Sequence, residues 1–75
     1  MQGEMLIMDH TGHTRTTWNP DDDDDADVAR RVFDDLTGKG YSAFRVKGAD
    51  DMGRRLTAFD KKAGSMILVP PLQGG

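Results

Sequence analysis

Two short, uninterrupted apolar runs stand at opposite ends of this 75-residue chain: Met5-Leu6-Ile7-Met8 and Met66-Ile67-Leu68-Val69. A run of four apolar residues bounded by turn formers fits a strand buried on both faces, since a strand with one wet face alternates. Two such strands are best placed side by side at the centre of a sheet. A chain of this length buries only about 60% of its unfolded surface, so it forms one small domain with one core.

The segments between these runs divide cleanly. Asp9-His10-Thr11-Gly12 reads as a turn, and residues 13–18, rich in threonine and ending in Trp18, as a returning strand with Trp18 as its anchor. Asn19-Pro20 ends that strand, because proline cannot donate to a ladder. Asp21 to Asp25 follow, and the later ones suit a helix N-terminus as caps and as charges at the positive end of the dipole. The spacing predicts a helix over 24–37. Val28, Val32 and Leu36 form its apolar stripe with Ala29 and Phe33 beside them, and Arg30–Asp34 and Arg31–Asp35 stand at ion-pair spacing. Gly38 or Gly40 supplies the stop.

Residues 41–46 alternate, with Ser42, Phe44 and Val46 on one side and Ala43 and Arg45 on the other, which predicts a half-exposed strand. Residues 47–55 read as a polar loop and 56–59 as a short extended segment. Asp60 to Gly64 read as a turn, and Ser65–Val69 as the last strand, ended by Pro70-Pro71. The order is ββαβ(β)β, an α+β domain with one helix packed across a four- to five-stranded mixed sheet. A helix between the first and last strands lets those two pair in parallel. A simple hairpin over 56–69 is the competing topology. Trp18, Tyr41 and Phe59 are expected in the core or at its rim.

The chemistry-bearing residues are few. There is no cysteine, so disulfides, thiolate metal sites and a cysteine nucleophile are all excluded. Asp9, His10 and His13 are too few for a metal site, and five consecutive aspartates lack the spacing of a calcium loop. Gly38-Lys39-Gly40 follows a helix instead of preceding one, the wrong end for a phosphate. No acid–base–nucleophile set is visible, so the chain is expected not to be an enzyme and to need no cofactor and no metal. The start lacks a basic segment and an apolar stretch, and no apolar run approaches the roughly 20 residues of a membrane span, which points to the cytoplasm.

Net charge is −3, unevenly spread: ten acids and three bases in residues 1–36, three acids and seven bases in 37–75. Overall acidity disfavours nucleic acid as a partner. The asymmetry predicts a positive face near Lys39, Arg45, Lys47, Arg54 and Arg55 and a protein partner, the chain itself being a monomer.

The chain ends Ile67-Leu68-Val69-Pro70-Pro71-Leu72-Gln73-Gly74-Gly75. This stretch is similar to the tail of the sulfur-carrier subunit of molybdopterin synthase, in which a strand runs into two prolines, two residues and a diglycine. Met66-Ile67-Leu68-Val69 is similar to the last strand of ubiquitin, and the order of elements resembles the ubiquitin-like β-grasp fold. The resemblance implies a β-grasp domain over 1–71 and a flexible tail over 72–75. It implies that an adenylating enzyme activates the Gly75 carboxylate for sulfur transfer or conjugation, with Gly74 keeping the thread narrow. Leu72, Gln73, Arg45 and Arg54 are the candidate partner contacts. The chain also resembles small proteins of actinobacteria and their phages that open with a Leu-Ile-Met-Asp strand and a Thr-Gly turn. That second likeness, with the charge polarity, leaves a non-covalent binding module, or a phage or mobile-element accessory or structural protein, as the alternative.

Overall fold

The computed structural model describes residues 2–46 and 53–71. Six elements follow in order: β1 (Gly3–Asp9), β2 (Gly12–Trp18), α1 (Asp23–Gly38), β3 (Ser42–Arg45), β4 (Arg55–Leu56) and β5 (Ser65–Val69). The strands form one mixed sheet in the order β2-β1-β5-β3-β4. β1 and β5 pair in parallel, with Met5 beside Met66, Leu6 beside Ile67 and Ile7 beside Leu68. The two apolar runs are therefore neighbours, and β5 is the central strand. β4 pairs with β3, not with β5, so the hairpin alternative over 56–69 does not form.

The hairpin β1–β2 runs in unbroken register from Gly3–Trp18 to Asp9–Gly12. Its turn is closed by the Asp9 carboxylate, which accepts from both the backbone N–H and the hydroxyl of Thr11 at 2.7 Å. Asp22 caps α1, its carboxylate accepting from the N–H groups of Asp24 and Asp25. The helix ends with Gly40 donating to Thr37 O and Tyr41 to Leu36 O, both at 3.1 Å. This paired closure needs a residue at positive φ in the first position past the cap, and Gly40 sits at φ +99°.

The core lies between α1 and one face of the sheet: Met5, Trp18, Ala43, Met66 and Leu68 from the strands, Ala26, Ala29 and Phe33 from the helix, and Ala63 from the segment before β5. Phe59, in the segment after β4, completes an aromatic cluster, with ring centroids 5.0 Å from Trp18 and 5.9 Å from Phe33. The Trp18 indole N–H donates to Lys61 O at 3.0 Å, so the largest buried side chain leaves no unpaired donor. Burying Trp18, Phe33 or Leu68 contributes on the order of 2–3 kcal/mol each.

Three expectations are corrected. The helix is rotated from the predicted stripe: Ala26, Ala29 and Phe33 are buried, Val32 and Leu36 flank them, and Val28 is 59% exposed. Small alanines let the helix settle near the bulky Trp18, and Val28, about 100° around the helix from Ala29, then turns to solvent. Arg31 pairs with Asp27 (3.1 Å) instead of Asp35, which pairs with Lys39 (3.2 Å); the Arg30–Asp34 pair forms at 3.4 Å. In β3 the expected alternation holds, with Ala43 buried in the core and Ser42 and Phe44 on the other face. The apolar runs are not buried on both faces: Leu6, Met8, Ile67 and Val69 are only partly buried. One helix covers one face of the sheet, and the continuous runs put apolar residues on the other as well.

Candidate functional site

Two regions of the molecule are candidates for function, and both include β5. The first is the point where the chain leaves the sheet. β5 ends at Val69, opposite Ser42 of β3, and Pro70-Pro71 cannot extend the ladder. Pro71 instead stands against the end of the helix. A Cβ built on Gly40 would lie 3.5 Å from the Pro71 ring carbons. The glycine that closes the helix thus also receives the proline that directs the chain off the sheet. Leu72, Gln73, Gly74 and Gly75 follow this point and lie outside the described residues.

The second region is the face of the sheet turned away from α1, which no element among the described residues covers. Side chains alternate along each strand, so residues paired across strands share a face. Arg15 pairs with Leu6, Leu6 with Ile67, Ile67 with Phe44, and Phe44 with Arg55. One row therefore crosses all five strands as Arg15–Leu6–Ile67–Phe44–Arg55. Strands stand about 4.8 Å apart, so the two arginines bracket the apolar stretch at a span of about 19 Å. Met8 and Val69 widen the stretch on the same face. Glu4 is the one strand carboxylate on it, paired with Arg15 at 3.0 Å. The acids of α1 and its cap lie in the other layer. An apolar, basic sheet face thus stands opposite an acidic helix layer.

The predicted positive face is split. Arg45 pairs in register with Met66 and so points to the helix side, where its Nε is buried without a partner. Its backbone N–H donates to the Arg54 carbonyl oxygen at 2.9 Å, which brings the two candidate residues together along the backbone. Arg54 is exposed, Arg55 belongs to the opposite face, and Lys39 is engaged by Asp35. Lys47 lies outside the described residues. Sequence reading missed Leu6, Ile67, Phe44, Arg15 and Arg55 as a set, because only the register brings five strands into one row.

The remaining candidates are structural. Asp9 closes the hairpin turn, and among the described residues no three histidine or carboxylate side chains converge on one point. Asp22 is a cap, and Asp23 reaches Lys61 at 3.1 Å. Two open clefts, about 240 and 280 Å³, flank the helix. Both fall below the roughly 300 Å³ at which small-molecule sites begin. Among the described residues no helix is long and apolar enough to cross a membrane.

No family model, curated protein or solved structure matches the chain.

Proposed function

We propose that this domain is a ubiquitin-like carrier or modifier of β-grasp architecture that works in the cytoplasm as a substrate and not as a catalyst. An adenylating enzyme joins the Gly75 carboxylate to the AMP of ATP with release of pyrophosphate, and a sulfide donor or a lysine amine then displaces AMP to leave a thiocarboxylate or an isopeptide bond. Leu72 and Gln73 space the diglycine from the domain, and Arg54, the outward member of the Arg45–Arg54 pair, meets the partner. The observation that carries this reading is the parallel pairing of β5 with β1 at the centre of the sheet, with Pro70-Pro71 directly after it. Pro70-Pro71 end the pairing of this central strand, and Pro71 stands beside Gly40 at the end of the helix.

The test uses lysate of the native host supplied with ATP. The full chain forms heavier adducts on a denaturing gel, and a chain lacking Gly74 and Gly75 forms none. Equal adducts from both chains, or a full chain that shows neither adducts nor the mass shift of a Gly75 thiocarboxylate, refute the reading.

A second reading has its own observation, the row Arg15–Leu6–Ile67–Phe44–Arg55 on the uncovered face. It makes the domain a non-covalent binding module, as in an accessory or structural protein of a phage or mobile element. Under it, Phe44→Ser and Arg55→Glu abolish recovery of a stoichiometric partner while deletion of the diglycine leaves it intact. The carrier reading predicts the reverse for the diglycine.

A further inference from the structure

The two edges of the sheet differ. β4 is two residues long, too short to template another strand. β2 is seven residues long, pairs without a bulge, and contains no proline. Its backbone groups can be assigned from one hydrogen bond. Glu4 donates its N–H to Gly64 O at 2.8 Å, toward β5 and away from β2. The Glu4–Thr17 pair is therefore a non-hydrogen-bonded pair of the hairpin. Because such pairs alternate in an antiparallel ladder, Leu6–Arg15 and Met8–His13 are of the same kind. The N–H and C=O groups of His13, Arg15 and Thr17 all point outward from the free edge, while those of Thr14 and Thr16 are used by β1.

We propose that two copies of the chain pair antiparallel through β2, joining their sheets into one of ten strands. The register follows from charge. Centring the two-fold axis on Arg15 opposes two arginines, which is unfavourable. Centring it on Thr16 places Arg15 opposite the second copy's Thr17 and matches outward groups with outward groups, and the two Thr16 residues face each other. Glu4 pairs with Thr17 within each hairpin. The second copy's Glu4 then lies two strands from Arg15, about 9.6 Å between backbones and within reach of the guanidinium. The association closes at two copies because the other edge of each sheet is β4. It also places the two uncovered faces on the same side. The inference does not depend on the diglycine, and it replaces the expectation of a monomer.

The test is sedimentation and amide exchange of the full chain. An edge-to-edge contact buries less than about 1,200 Å² and is weak, so the chain sediments as a monomer near 10 µM and mostly as a dimer near 1 mM. Over that range exchange slows on the order of tenfold at Arg15 and Thr17, the pair this register joins, and not at His13, which falls opposite Asn19 beyond the end of β2. It stays unchanged at Thr14 and Thr16. Thr17→Pro removes an outward N–H from an edge strand, a position where proline is tolerated, and keeps the chain monomeric at both concentrations with the same far-UV circular dichroism. A monomer at 1 mM overturns the proposal. So does a dimer that forms without protecting those two amides.

Discussion

The indole of Trp18 occupies the space in which a side chain on Gly3 would stand. The two residues are cross-strand partners in the β1–β2 hairpin, and a Cβ on Gly3 would meet the indole Cε2 and Cζ2 at 2.2 Å. Trp18 is 1% exposed and in edge contact with Phe59, so the ring has no room to retreat. Gly3→Ala therefore costs about 1–3 kcal/mol, the usual price of overpacking a filled core. Chemical denaturation followed by Trp18 fluorescence measures it, as a lowered midpoint with an unchanged slope.

Gly40 closes α1 at positive φ and receives Pro71. Gly40→Ala has space for its methyl but not the backbone conformation, and lowers stability by about 1 kcal/mol. Gly38 is the control, since it lies within the helix with nothing within 4 Å of a built Cβ. Gly38→Ala is neutral or stabilising by up to about 1 kcal/mol. Thermal unfolding of the two variants moves in opposite directions or splits by the difference.

Asp27 accepts a charge-assisted hydrogen bond from Arg30, with the positive charges of Arg30 and Arg31 adding to it, and these hold its carboxyl below the ordinary carboxylate value. A carboxyl depressed in the folded state contributes stability that is fully present above its unfolded value of about 3.9 and is lost as pH falls through the folded value. Carbon-detected titration of the aspartates finds Asp27 protonating below the usual carboxylate range. Arg30→Gln returns its midpoint upward. A midpoint that does not move on removing Arg30 contradicts the assignment.

The architecture was legible in the sequence wherever one residue pattern had one physical solution. The paired apolar runs, the turn at Asp9–Gly12, the aspartate cap and the Gly40 stop all formed as their chemistry requires. The helix face was misread because periodicity alone weighs Val28 above Ala26 and Ala29, whereas packing beside Trp18 and Phe59 selects small residues. The uncovered face was hidden for a related reason. A continuous apolar run looks the same whether both faces are covered or one is left open. Only the five-strand register shows that Leu6, Ile67 and Phe44 meet there between Arg15 and Arg55.

Delivery of a reactive terminus from the central strand is the core of the account, and intact-mass spectrometry of the untagged protein purified from its native host tests it most directly. The account predicts a species heavier by the difference between sulfur and oxygen at Gly75, or a branched conjugate in which Gly75 is joined to a lysine of another protein. A single unmodified mass in that material, with growth and interactions unchanged after deletion of Gly74 and Gly75, would contradict it.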